Sequence, residues 1–487
     1  MKNNFMLFAK AMVLLAVLNF AAAQSRSFAQ AKIRKIDELM KLCNDAGQFN
    51  GSVLVAERGK VIYRKSFGYA NLEWNIPNTL DTKFRIGSIT KSFTAILVLQ
   101  LVEQGKLRLD GKITDYLPDF PKKTGDKITV NQLLTHTSGL PDYNNVPDFF
   151  RLVQSGLLSQ SDILKRISEY DLVFEPGTKF GYSNDGYTLL GAIIEKATGK
   201  PYDQVLQENI LKPLKMNNSG YSRRNVVLEK RASGYRKRLS GYENPLYYVE
   251  SPASGMYSTV NDLYLWEQAL YTDALLSPKY KDLMWSISLY GNAYGWLVSE
   301  KPLTPNGEKL LFVVSEGAIP GFFAWTSRLP KDKHLIVLLT NVRAATNYLP
   351  DISLAITNIL YDKPYQTPKK SIAETLLPII MQKGIEAAIN QYRNLKSTQA
   401  TAYSFAENEL NSLGYQLLNT EKFKEAVEIF KLNTEAYPQS SNAYDSLGEA
   451  YMLSGDKERA IANYQKSVEL NPQNTNALEM LKRLRGQ

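Results

Sequence analysis

The chain carries 487 residues, 44% of them apolar, with one cysteine, two histidines and a formal charge of +10. Such a length exceeds a single domain and the apolar fraction suffices for more than one core, whereas one cysteine excludes an internal disulfide and any paired-cysteine metal site. The positive charge comes without a zinc spacing, an aromatic-rich RNA motif or a phosphate-cradling glycine loop, so nucleic acid is not an expected partner.

At the N-terminus Lys2 and Lys10 bracket a basic start, Ala11 to Phe20 is mostly apolar, and Ala21-Ala22-Ala23 offers a small-residue cleavage site. This is the pattern of a secretory signal peptide over residues 1–23, too short to span a bilayer. The expected mature protein is exported, periplasmic or secreted, with no stable membrane span. Helical spacing follows at Ala31 to Leu42, and then Ser52 to Val55 and Val61 to Tyr63 alternate about Arg58-Gly59 as a β-hairpin.

Ser88-Ile89-Thr90-Lys91 stands between an apparent strand end, Phe84 to Gly87, and the apolar run Phe93 to Val102. A serine and a lysine three apart at a helix start share a face, so the amine reaches the hydroxyl. A serine in the first turn also meets the free N–H groups and positive dipole end that favour an oxyanion. Lysine accepts a proton only when neutral, and at its ordinary pKa of about 10.4 fewer than roughly one in a thousand is neutral at pH 7, so burial has to depress it. The bland reading makes Ser88 a helix N-cap and Lys91 a solvated residue. Spacing by itself favours that reading, because Ser454 to Lys457 repeats it.

A second cluster, Tyr182-Ser183-Asn184, follows Phe174-Glu175-Pro176-Gly177-Thr178 and opens a helix with Leu189, Leu190, Ile193, Ile194 and Ala197 on one side, closed by Gly199 and Pro201. There a phenol and an amide can both project into a cleft; otherwise Tyr182 is a packed aromatic and Asn184 an N-cap. The basic stretch Arg223 to Arg238 reads as a solvated loop in preference to a site for an anionic polymer or lipid headgroup. Strands return at Leu311 to Ser315, Phe322 to Arg328 and His334 to Thr340, with Gly317 to Gly321 as a connection. One sheet assembled from both ends of a domain, around a mainly helical insertion, is the predicted layout.

The polar, proline-bearing segment 362–371 marks a domain boundary. In 372–487, Leu413-Gly414, Ala426, Phe430 and Pro438 recur 34 residues later as Leu447-Gly448, Ala460, Tyr464 and Pro472. That period and those residue types resemble the tetratricopeptide repeat. Repeats at about 407–440 and 441–474 are expected, with an irregular earlier hairpin around Ala388 and Tyr392 and a cap from Ala477 to Leu484. Two repeats are few for a solenoid, which needs about three units. They leave two readings: a surface for a peptide or protein partner, or a helical appendage that packs on the first domain or self-associates.

Taken in order, Phe84-Arg85-Ile86-Gly87-Ser88-Ile89-Thr90-Lys91, Leu133-Leu134-Thr135-His136-Thr137-Ser138-Gly139-Leu140, Pro176-Gly177-Thr178 to Tyr182-Ser183-Asn184, and Gly317 to Phe322 ahead of the strand at Leu335 resemble the serine β-lactamase-like hydrolases. The branch is that of class C β-lactamases, D-alanyl-D-alanine peptidases and esterases, and the resemblance covers 31–361. It implies a mixed α/β (α+β) fold: an antiparallel sheet flanked by helices with an inserted helical subdomain, the active site between them, and no metal or organic cofactor. It also implies that Ser88 is the acylated nucleophile, that Lys91 helps deprotonate it, that Tyr182 relays the proton to the leaving group, and that Asn184 hydrogen-bonds the substrate's amide or ester neighbourhood. His136 falls away from the family's base and is expected to hold a loop. With no Gly-x-Ser-x-Gly around Ser88, a Ser-His-Asp triad is a poor alternative.

One block departs from the family pattern. Where Lys-Thr-Gly or His-x-Gly is usual, this chain has Ser315-Glu316-Gly317. Gly317 is kept, and the N–H of Ala318 can complete an oxyanion hole with that of Ser88, since a backbone donor does not depend on its side chain. The cation at 315 is lost, which disfavours anionic substrates, the more so if Glu316 faces the cleft, unless a cation from Arg223 to Arg238 or from the loop bearing Arg151 folds over it. Selectivity is expected from the loops Asn144 to Gln160 and Tyr242 to Tyr257. The expected function is an exported serine hydrolase that forms an acyl-enzyme on a small-molecule or peptide substrate bearing an ester, amide or peptide bond, an esterase or peptidase rather than a true β-lactamase. The alternative is a catalytically weakened relative that serves as an interaction or scaffold protein through its repeats.

Overall fold

The computed structural model describes residues 29–143, 152, 158–223, 226–238, 241–245, 251–285, 288–303, 307–344 and 347–486. The signal segment, Arg151 and parts of the two selectivity loops lie outside the described residues. The chain divides into two compact units, Met1–Lys237 with Tyr242–Gln366, and Arg238–Gly241 with Thr367–Gln487.

In the first unit, helix α1 (29–45) leads into strands β1 (Gly51–Glu57) and β2 (Lys60–Phe67). Helices α2 (Thr90–Glu103), α3 (Asn184–Thr198) and α4 (Val260–Ala269) belong to the insertion. The chain then returns through β3 (Asn292–Ala293), β4 (Trp296–Pro302), β5 (Lys309–Ile319), β6 (Phe322–Leu329) and β7 (His334–Thr340) to α5 (Leu349–Leu360). One antiparallel sheet runs in the order β3-β4-β5-β6-β7-β1-β2. Strand β7, between β6 and β1, is buried along its whole length, and the period-2 alternation of its side chains separates two cores. Val53, Val55, Ile336 and Leu338 join Leu39, Met40, Ile352 and Ile356 of α1 and α5. Leu54, Ala56, Val337 and Leu339 join the other core, where Phe93 of α2 stacks on Trp266 of α4 with 3.8 Å between ring centroids. Under the same face, Arg328 Nε of β6 lies 2.9 Å from the Glu267 carboxylate of α4, both side chains 4% exposed.

Two elements depart from the sequence expectation. Gly317 lies inside β5, which runs on to Ile319, and the tight turn is made by Pro320 and Gly321, the latter at φ +84°. Ser88 sits in a single 3-10 turn, Gly87–Ile89, and the α-helix begins only at Thr90.

From Thr367 onward the described residues of the second unit are helical apart from a short parallel pairing of Lys370–Ser371 with Tyr403–Ser404. Its helices are α6 (Ile372–Lys383), α7 (Ile385–Thr398), α8 (Glu407–Asn419), α9 (Phe423–Ala436), α10 (Ser441–Leu453), α11 (Lys457–Leu470) and α12 (Thr475–Arg485). The 34-residue period is a small residue set against an aromatic one. A Cβ on Gly414 would come within 2.5 Å of the Phe430 ring, and one on Gly448 within 3.0 Å of Tyr464. The second Ser-x-x-Lys falls in the turn between α10 and α11, where Ser454 and Lys457 are both exposed and the serine hydroxyl donates to the Tyr451 carbonyl.

Candidate active site

The Ser88 turn is set by its contact with β5. Gly87 takes φ +51°, which glycine reaches without strain. A Cβ on Gly87 would stand 3.2 Å from the Ala318 nitrogen. A Cβ on Gly317 would stand 1.9 Å from the Ile86 carbonyl oxygen and 3.0 Å from the Ser88 nitrogen, so the two backbones meet with no room for a side chain. Pairing of β4 with β5 ends at Leu297 opposite Val314. From Ser315 to Ile319 the strand therefore pairs with β6 on one side only, and its other edge passes the Ser88 turn. This junction collects the backbone amides of Ser88 and Ala318.

The Ser88 hydroxyl caps no helix. Its Oγ lies 2.8 Å from the Tyr182 hydroxyl and accepts from Lys91 Nζ at 3.1 Å. Lys91 is 2% exposed, its Nζ lying 4.9 Å from the Tyr182 ring centroid and 5.5 Å from that of Tyr187. It also donates to Asn184 Oδ1 at 2.7 Å and to the Ala253 carbonyl at 2.9 Å. Burial pushes its pKa down to about 7, against an opposing pull from the Asp142 charge. As an ammonium, Lys91 spends all three N–H groups on these partners. As an amine it keeps two, and the carbonyl oxygens of Asn184 and Ala253 can only accept. The lone pair is thereby directed at Ser88 Oγ.

Asn184 is itself held. Asp142, 4% exposed, accepts from the Asn184 backbone N–H at 2.7 Å and from its Nδ2 at 2.9 Å. That fixes which end of the amide faces Lys91 and leaves one Nδ2 hydrogen for a substrate. The N-cap of α3 is Ser183, whose hydroxyl accepts from the Gly186 N–H. Asp142 is the residue the sequence reading missed; Pro141-Asp142-Tyr143 carries no spacing that singles it out.

His136, with φ +56°, ties down the loop that bears Tyr182. Its carbonyl accepts from Gly181 N–H at 2.8 Å, its Nδ1 accepts from Ser183 N–H at 3.2 Å, and its ring stacks on Tyr182 with centroids 4.5 Å apart. Burial, aided by the Lys91 charge, pushes its pKa down to about 3. It is a neutral wall to the site, with no hydrogen bond to Ser88 among the described residues.

These groups open onto a cavity of about 640 Å³ lined by Ser88, Lys91, Tyr182, Asn184, Ser315 and Ala318, together with His136, Tyr143, Phe180, Trp296, Arg236, Glu316 and Arg343. Ser315 is 3% exposed and donates to the Gly295 carbonyl at 3.4 Å. Glu316 lies on the cavity wall, and two cations reach it as well. Arg236, from the stretch read as a solvated loop, pairs across a short parallel ladder with Arg343. Among the described residues no group of three or more His, Cys, Asp or Glu side chains is placed to hold a metal ion.

Residues 33–357 match the family model described as Beta-lactamase, and residues 441–474 match the tetratricopeptide repeat. Penicillin-binding protein 4* of Bacillus subtilis (strain 168) is 32% identical over 365 residues, 70% of this chain and 79% of that protein. A penicillin-binding protein from Bacillus halodurans superposes with a TM-score of 0.59 at 29% identity, covering 66% of this chain and 98% of that one. The octameric penicillin-binding protein homologue from Pyrococcus abyssi gives 0.60 at 26% identity, covering 72% and 82%. With the sheet, the inserted helices and the family match all falling on the same stretch, this chain belongs to the β-lactamase family and is a serine hydrolase of that fold.

Proposed function

We propose that the protein is an exported acyl hydrolase that works through an acyl-enzyme on Ser88. The observation that carries this reading is Lys91, a buried amine with a pKa near 7, 3.1 Å from Ser88 Oγ and with both other hydrogens committed. Lys91 takes the Ser88 proton as Oγ attacks the carbonyl carbon, and the oxyanion forms against the amides of Ser88 and Ala318. Tyr182, 2.8 Å from Oγ, hands a proton to the leaving oxygen or nitrogen as its bond to carbon breaks. Water then gives a proton back through the same groups, attacks the ester and frees Ser88 and the carboxylic acid. Asn184 holds Lys91 with one end of its amide and offers the other to the substrate. The substrate class is an ester, amide or peptide rather than a β-lactam, because Ser315 brings no cation to the position where this family usually has one and Glu316 adds an acid to the wall, while the two cations that do reach the cavity, Arg236 and Arg343, are engaged by Glu243 and the Phe323 ring.

The basic, apolar and small-residue pattern of residues 1–23 supports export, and no described helix is long and apolar enough to cross a membrane. The repeats support a role in binding a protein partner or a second copy, alongside catalysis.

A fluorophosphonate probe tests the reading. Mass spectrometry should place the adduct on the Ser88 peptide, and Ser88→Ala should abolish labelling. Lys91→Ala and Tyr182→Phe should each lower kcat on a p-nitrophenyl ester by on the order of 10². An adduct elsewhere, or equal labelling of Ser88→Ala, overturns it.

A further inference from the structure

We propose that Glu316 forms a cation subsite that selects substrates carrying an ammonium group next to the scissile carbonyl. This rests on the reading of Ser88 as nucleophile and of the Ala318 amide as an oxyanion donor, and adds the substrate class.

Side chains alternate along β5. Ser315, Gly317 and Ile319 are buried, while Glu316 and Ala318 are exposed; Ser315, Glu316, Ala318 and Ile319 all line the cavity. Residues two apart on a strand share a face and stand about 7 Å apart. The Glu316 carboxylate, on its flexible stem, therefore reaches the neighbourhood of a carbonyl whose oxygen sits at Ala318.

The other charged groups on the cavity wall are cations, and each is engaged. Lys91 is held by Asn184 and Ala253. Arg236 faces the Glu243 carboxylate at 3.8 Å. Arg343 lies over the Phe323 ring, 5.2 Å from its centroid. Glu316 makes no hydrogen bond or ion pair among the described residues, and the walls around it push its carboxyl pKa up. A carboxylate on a cleft wall with no counter-charge of its own is free to meet one that a ligand brings. A substrate ammonium would supply the missing charge, and a substrate carboxylate in the same place would be repelled.

The test uses the full chain and three p-nitroanilides built on one acyl group: alanine with a free amine, its N-acetyl form and its N-succinyl form, in both D and L series. In the wild type, kcat/KM at pH 7 should be higher for the ammonium compound than for the acetylated one. In Glu316→Gln the ratio of the two should fall about tenfold, the scale of one ion pair in a partly desolvated site, and the succinylated compound should gain relative to the acetylated one. Thermal melting reports whether the variant is folded, and Glu316→Ala gives a second reading of the same ratio. If anilide turnover is too slow, protection of Ser88 against the fluorophosphonate by an aminoalkyl and an acetamidoalkyl boronic acid yields the same ratio. An identical ratio in wild type and variants overturns the proposal, as does a wild-type preference for the succinylated compound, which would assign the cleft to Arg236 and Arg343. Full activity of Ser88→Ala would instead overturn the reading of the nucleophile, so the two failures are distinct.

Discussion

Lys91 gives up its proton at a pH where an exposed lysine would still hold it, and the sign of that shift fixes the response to pH. Below about pH 7 the group is an ammonium and cannot take the Ser88 proton; above it the amine is free to do so. Hydrolysis of a neutral ester should therefore fall about tenfold per pH unit below pH 7 and level off above it. Of the groups facing Lys91, Tyr182 and Tyr187 present their rings and His136 stays neutral down to about pH 3. The Asp142 charge is what holds the lysine pKa up. Asp142→Asn should thus shift the acid limb to lower pH, while the plateau is kept because an amide oxygen at 142 can still accept from the Asn184 backbone and side-chain N–H groups. A lowered plateau with an unmoved limb would reduce Asp142 to a structural part. Ser88, Lys91, Tyr182 and Asn184 were legible because short blocks keep their order along the chain. Asp142 and Arg343 were not, because nothing local marks them and only the fold brings them to the cleft, whereas Arg236 belongs to the basic stretch named as a source of a cation over it.

At the scale of elements, short apolar runs bounded by turn residues were enough to find β1, β2, β6 and β7, of which β1 and β7 are buried almost throughout. They failed for β4, where the inward residues Trp296 and Val298 give way to exposed Glu300 and Lys301 and a terminal proline. The start of α2 was misjudged by a few residues because backbone contact with β5 overrides the local preference that a Ser-x-x-Lys spacing expresses. One tertiary contact between elements invites a direct measurement. The Glu267 to Arg328 pair joins α4 to β6 out of contact with bulk water, and the Arg328 guanidinium also lies 4.6 Å from the Trp285 ring centroid. Removing one partner of a buried pair strands the other charge, at a cost of about 3–5 kcal/mol, whereas replacing both with apolar residues is often near neutral. Arg328→Met should lower stability by that amount in urea unfolding, and adding Glu267→Leu should recover most of it. Losses that simply add would show that the two residues act independently.

For the molecule as a whole, the cores are separate. Those of the first unit draw on residues between Ile33 and Tyr365, and that of the second on residues between Ile372 and Leu484. A chain ending at Gln366 should fold and hydrolyse small esters within about twofold of the full-length rate, since the described residues of its cores and of its site all precede that point. A soluble but inactive product would contradict this.

The place of β1 between β2 and β7 has a consequence in time. Gly51 pairs with Phe67 on one side and with Thr340 on the other, so the central sheet cannot close until almost all of the first unit is available, and the entropy of that long loop must be met before the strands reward it. The helical hairpins of the second unit find their partners within a few dozen residues. In refolding from urea, the repeats should regain their helices first, and hydrolytic activity should return in a later and slower phase, set by how long the first and seventh strands take to meet.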